Sequence, residues 1–184
     1  MEKSLVILKP DATERKLAGT IISRFEAAGL RIIASKISKA TDAQIDSHYD
    51  LNSSDVCTII GCKSAGIAPE VTYSEAVEQL GKSKAEELRT MGYTVLGWNR
   101  NYMQRSPLFV MILEGNNAIS RIRSIIGSTN PPNALPGTIR FEYGMDSIPQ
   151  ANKEKRGAEN LVHASGKPEE AVKEMSIWFP EFNN

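Results

Sequence analysis

The chain has 184 residues, 41% of them hydrophobic and 24% charged, with a formal net charge of zero. This length suits one domain, or one domain carrying an insertion, and a pI of about 6.8 excludes a sequence-independent grip on nucleic acid. The apolar run at residues 5–8 is too short for a signal-peptide core or a membrane span, and the two cysteines, Cys57 and Cys62, make neither a disulfide framework nor a zinc site, so a cytoplasmic protein without a membrane partner is expected.

SLVILKP (residues 4–10) is a continuous apolar run closed by a proline that cannot extend a central ladder, and it predicts a buried strand. Asp11 and Glu14 have capping-box spacing, and Leu17, Ile21, Ile22, Phe25 and Ala28 form the stripe of a helix that stops at Gly29. LRIIASKIS (30–38) predicts a second strand, and TDAQIDSHYD (41–50) a short helix capped by Thr41. Residues 51–104 interrupt this rhythm where a short connection would suffice, and they read as an insertion. Within them TYSEAVEQLGKSKAEELRTMGY (72–93) is helical in composition and broken at Gly81. PLFVMILEG (107–115) is the most strand-like segment, and NNAISRIRSIIG (116–127) a helix ending at Gly127. GSTNPPNALPGTIR (127–140) is a long proline- and glycine-rich loop, NLVHAS (160–165) a fourth strand, and PEEAVKEMSIWF (168–179) a last helix. The order matches a split βαβ: a ferredoxin-like α/β sandwich with a four-stranded antiparallel sheet and helices covering one sheet face. Residues 1–184 are expected to form a single domain, with the insertion at about 51–104.

Function must come from side chains at the corners of this frame. His163, one of two histidines, stands at the end of the fourth strand. Such a ring can be a packed core residue, a metal ligand or a nucleophile. Lys9 closes the first strand, Arg123 lies on the helix before the long loop, Thr129 lies within that loop, and Arg140 follows it. Converging on His163, they would make a polyphosphate cradle around a nucleophile. Glu174, eleven residues after His163, suits the role of accepting its other ring N–H. Each residue also has a plainer reading: a strand-end lysine, surface arginines, a loop threonine.

Several segments resemble the nucleoside diphosphate kinase family, in the family's order. They are LVILKPDATERKLAGTIISRFEAAGLRI (5–32), HYD (48–50), SPLFVMILEG (106–115), IIGSTNPPNALPGTIR (125–140), NLVHAS (160–165) and WFPE (178–181). The resemblance implies a ping-pong transfer of the γ-phosphate from a nucleoside triphosphate to a nucleoside diphosphate through a phosphohistidine, which maintains nucleotide pools. It makes His163 the carrier, with Lys9, Ser165 and Glu174 as its catalytic support. Lys9, Tyr49, Arg123, Thr129 and Arg140 would bind phosphates or sit beside the ring, and Asn160 would meet the ribose hydroxyl. Mg²⁺ would arrive on the nucleotide phosphates rather than in a protein cage, and a homo-oligomer, hexamer or tetramer, is implied.

The chain departs from the family in three places. Residues 51–104 resemble the longer version found in some archaeal-type members, and they put Val95, Trp98 and Asn99 near the base. The family's His-Gly-Ser-Asp is His163-Ala164-Ser165-Gly166 here, without the acid. FEYGMDSIPQANKEKRGAE (141–159) lengthens the approach to the histidine strand. The rival readings are a nucleotide-sensing ferredoxin-like module and a catalytically degenerate member of the family.

Overall fold

The computed structural model describes residues 1–183. Its elements in chain order are β1 (Glu2–Leu8), α1 (Pro10–Glu14), α2 (Ala18–Ala27), β2 (Arg31–Ser38), α3 (Asp42–Tyr49), α4 (Ser54–Ala65), α5 (Tyr73–Leu80), α6 (Lys82–Gln104), β3 (Leu108–Gly115), α7 (Ala118–Ile126), α8 (Ile139–Tyr143), α9 (Ile148–Lys153), β4 (Val162–Ala164) and α10 (Pro168–Trp178). Two compact units are built from them. Met1–Thr41, Met103–Ser147 and the described residues from Glu159 onward form the first; Asp42–Tyr102 and Ile148–Ala158 form the second.

In the first unit, the described residues form a four-stranded sheet of order β2-β3-β1-β4, antiparallel at every pairing. This is the ferredoxin-like α/β arrangement. Strand alternation sends Val6 and Leu8 of β1, Met111 and Leu113 of β3, and Val162 and Ala164 of β4 into one core with Ile21 and Phe25 of α2 and Ile122 and Ile126 of α7. Each of the valine, leucine, isoleucine, phenylalanine and methionine side chains among them contributes roughly 1.5–3 kcal/mol when fully buried. Helices occupy both faces rather than the one expected: α10 packs against β1, and its Glu174 reaches His163, whose side chain points away from its core-facing neighbours Val162 and Ala164.

The expected capping box at Asp11 and Glu14 does not form. Lys9 is the N-cap of α1 and makes no side-chain cap, while Asp11 is buried inside the first turn. Glu14 instead pairs with Arg105 at 2.8 Å. The chain then breaks at Lys16, whose φ of 58° cannot continue a helix, so the apolar stripe begins a separate α2. β4 is shorter than its apolar run suggested, three residues long. The long loop is partly ordered by a 3-10 turn at Pro131–Asn133 and by α8, which starts at Ile139.

In the second unit, α5 opens with a capping box, Thr72 accepting from Glu75 N–H and the Glu75 carboxylate accepting from Thr72 N–H. Gly81, with φ 87°, separates α5 from α6 as the sequence indicated. Helix α4, not anticipated, starts at the Ser53 cap and ends at the left-handed Gly66. Cys62, Val71, Ala76, Ala85 and Leu88 form an apolar cluster within this unit, and both cysteines are free and buried. Among the described residues no helix is long and apolar enough to cross a membrane.

Candidate active site

Antiparallel pairing of β4 with β1 sets His163 opposite Ile7. The ring keeps 23% of its side-chain surface exposed, whereas Glu174 is nearly closed off. His163 Nε2 lies 2.8 Å from Glu174 Oε1. The other carboxylate oxygen, Oε2, accepts the Ser165 hydroxyl at 2.6 Å, and that hydroxyl in turn accepts from Leu5 N–H at 3.2 Å. Glu174 therefore carries one donor on each oxygen, a geometry that fixes both its own rotamer and the histidine ring. A carboxylate facing Nε2 selects the tautomer with the proton on that atom and places the ring lone pair on Nδ1.

A second set of bonds joins the β1–α1 corner and the long loop to the residues just before His163. Lys9 Nζ donates to Asn160 Oδ1 at 2.8 Å, and Asn160 Nδ2 donates to the Thr129 carbonyl at 2.9 Å. Arg140, buried, spreads its guanidinium over three carbonyls: Asn160 O at 3.0 Å, Gly127 O at 2.8 Å and Val162 O at 2.5 Å. Burial first, and then the Arg140 charge, lower the Lys9 ammonium to about 8, with Asp11 acting in the opposite direction. Gly127 must be glycine on two counts. Its φ is 87°, and a Cβ there would meet Thr138 Oγ1 at 2.4 Å.

The structure thus links His163, Glu174 and Ser165 in one chain of hydrogen bonds, and Lys9, Asn160, Thr129 and Arg140 in another. Thr129 itself is exposed. Arg123 is exposed on the last turn of α7; its Nη1 would lie 3.5 Å from a Cβ placed on Gly166. Glu170 fills the space a side chain at Gly166 would take, with Oε2 2.8 Å from that Cβ position, and it accepts from Gly166 N–H at 2.9 Å. Tyr49 belongs to the second unit, at the end of α3, its ring edge-on to His48 with centroids 4.9 Å apart.

Sequence reading missed Asp11, taken there for a helix cap. Its carboxylate accepts from Ala12 N–H at 3.0 Å and from Leu161 N–H at 3.1 Å. That second partner is 150 residues away, and no local pattern announces it.

The sequence model of the nucleoside diphosphate kinase family matches residues 2–57 and 94–183. The nucleoside diphosphate kinase of Pyrobaculum aerophilum is 40% identical over 182 residues, covering 98% of this chain and 96% of that one. That of Sulfurisphaera tokodaii is 33% identical over 181 residues, covering 98% and 90%. Among solved structures, the NDP kinase from Pyrobaculum aerophilum superposes with a TM-score of 0.81 at 38% identity, over 97% of this chain and 95% of that one. A transition-state mimic of the Borrelia burgdorferi nucleoside-diphosphate kinase, with bound vanadate and ADP, superposes with a TM-score of 0.71 at 28% identity, over 97% and 86%. With a matching family model over most of its length and full-length relatives at this identity, the chain belongs to the nucleoside diphosphate kinase family and is a phosphotransferase.

Proposed function

We propose that His163 carries the phosphoryl group in a ping-pong exchange between nucleoside triphosphates and nucleoside diphosphates. The observation that carries this reading is the Nε2–Glu174 contact of 2.8 Å, which leaves Nδ1 as the nucleophilic nitrogen. In the first half-reaction the Nδ1 lone pair attacks the γ-phosphorus, the N–P bond forms, and the bond from phosphorus to the β,γ-bridging oxygen breaks. The diphosphate leaves with that electron pair. As the ring becomes cationic, Glu174 stabilises it from Nε2, and Ser165 keeps the carboxylate aimed. The second half-reaction reverses these steps with a different diphosphate as acceptor.

Lys9 and Arg123 supply positive charge toward the phosphates, and the exposed Thr129 hydroxyl a neutral donor. Arg140 offers its charge from behind the three carbonyls it orders, and Asn160 joins Lys9 to the Thr129 loop as well as facing the ribose. Tyr49 is assigned to nucleotide binding. Magnesium fits as a substrate-borne ion: Asp11 and Glu174 each commit both oxygens to protein donors. When bound, it neutralises phosphate charge. The whole chain is assigned to one kinase domain with an insertion, working in the cytoplasm as a homo-oligomer.

Incubation with γ-labelled ATP tests the carrier. Acid-labile, base-stable label is expected on His163, transferable to GDP, and absent from His163→Ala. Folded wild-type protein that stays unlabelled would overturn the assignment, and so would transfer that survives in His163→Ala.

A further inference from the structure

Just before His163 the backbone takes a conformation that side chains resist. Leu161 has a φ of 68° and is fully buried, although the left-handed region disfavours a bulky residue. Val162 N–H donates to Asn160 O at 2.8 Å, closing a three-residue γ-turn with Leu161 at its centre. With a positive φ at that centre, this is the rare, strained form of the turn. Such a conformation persists only where its surroundings over-determine it. Two bonds to the β1–α1 corner do so: Lys9 N–H donates to Leu161 O at 2.8 Å, and Leu161 N–H donates to Asp11 Oδ2 at 3.1 Å.

Asp11 is only 2% exposed, and its remaining oxygen receives Ala12 N–H at 3.0 Å. A carboxylate meets both donors because it is acceptor-only, whereas an asparagine would turn an NH₂ toward one of them. The residues flanking the turn are the ones the reaction uses. Asn160 bonds the Lys9 ammonium, and His163 lies two positions after Leu161.

We propose that Asp11 is a positioning residue for phosphoryl transfer: its carboxylate pins the strained Leu161 turn and so sets the directions of Asn160 and His163. The proposal rests on His163 as the carrier. Asp11 touches no reacting atom; it acts through the backbone it holds.

A double-mutant cycle of Asp11→Asn and Leu161→Gly tests this, read as the single-turnover rate of His163 labelling by γ-labelled ATP and as the nucleotide KM. In the Leu161 background, Asp11→Asn is expected to slow labelling about 10- to 100-fold, on the scale that a misplacement of up to about 1 Å costs, with KM changed less than about twofold. Leu161→Gly loses core packing and sets its own baseline. Glycine adopts this φ without strain, so in that background Asp11→Asn is expected to slow labelling less than about threefold. Equal slowing in both backgrounds overturns the proposal, as does a folded Asp11→Asn that labels at the wild-type rate. If Asp11→Asn does not fold, amide exchange in the wild type decides: Leu161 N–H protected like the β1 amides supports the pin, and exchange at the rate of exposed loops overturns it. Failure of the carrier assignment looks different, since His163 in the wild type would then take no label.

Discussion

Glu174 divides its two oxygens between the His163 ring and the Ser165 hydroxyl, and that division makes one substitution diagnostic. In Glu174→Gln, the amide oxygen can keep the Ser165 hydroxyl while the NH₂ faces Nε2. The ring must then accept there and move its proton to Nδ1, blunting the nucleophile. Single-turnover labelling is expected to fall about 100-fold, within the range for losing a positioned acid–base partner, with nucleotide KM nearly unchanged. Quench-flow with γ-labelled ATP checks this; an unaltered rate would mean that the tautomer does not matter. Lys9 makes a second case. Folded Lys9 loses its proton at about 8 and the unfolded side chain near 10.5, so kcat/KM is expected to fall through a limb near pH 8 that Lys9→Arg removes, because a guanidinium stays charged. Stability has the opposite sign. Below about pH 8 the fold carries the full cost of an enclosed cation, and between 8 and 10.5 the unfolded state binds more protons, so stability rises with pH. Lys9→Met is therefore expected to raise Tm at pH 7 by about 2–4 °C while losing activity, with the gain shrinking by pH 10. The contact between His163 and Glu174 was legible in the sequence, because a rare ring and a helical acid eleven residues on are chemically conspicuous. The Asp11–Leu161 bond was not, because a left-handed leucine leaves no trace in composition or periodicity.

Among the elements, those whose boundaries follow from local chemistry were readable, and those set by tertiary contact were not. Gly29, Gly81 and Gly127 each end or divide a helix where the sequence placed the break. β2, β3, α7 and α10 follow their apolar patterns closely. The 10–28 stretch divided into α1 and α2 because Lys16 adopts a positive φ, which its side chain does not signal. Helix α4 escaped notice because its closest approach to α6 runs through glycines, which add nothing to an apolar stripe. A Cβ on Gly61 would come 1.9 Å from the Leu88 carbonyl oxygen, and one on Gly92 would come 1.7 Å from that of Cys57. No rotamer change relieves a backbone overlap, so Gly92→Ala must separate the helices. A loss of about 1–3 kcal/mol is expected, the usual cost of overpacking. Local amide exchange should locate that loss in α4 and α6 and leave the β1 and β3 amides protected. A uniform loss across both units would contradict it.

At the scale of the whole molecule, the core around the sheet is complete without the residues that the family model passes over. Residues 58–93 fall between the two matched segments, and none of them belongs to the apolar cluster that joins β1, β3 and β4 to α2 and α7. Nor do they include His163, Glu174, Ser165, Lys9, Asn160, Arg123, Thr129, Arg140 or Tyr49. The two ends of this stretch also lie close together, since a Cβ on Gly92 would touch the Cys57 carbonyl. Closing so small a gap takes only a few glycines, and loop-closure entropy grows slowly with length. A chain in which a four-residue glycine–serine linker replaces 58–93 is therefore expected to fold its sheet. It should label His163 from γ-labelled ATP within about tenfold of the full-length single-turnover rate, a rise of about 1.4 kcal/mol or less in the barrier. The comparison is made at saturating nucleotide, so that any change in nucleotide affinity appears in KM and not in the labelling rate. If the shortened chain keeps a protected β1–β3–β4 sheet but its labelling falls a thousandfold, residues 58–93 take part in the chemistry itself. If the sheet is lost, the first unit depends for its stability on helices outside its own core.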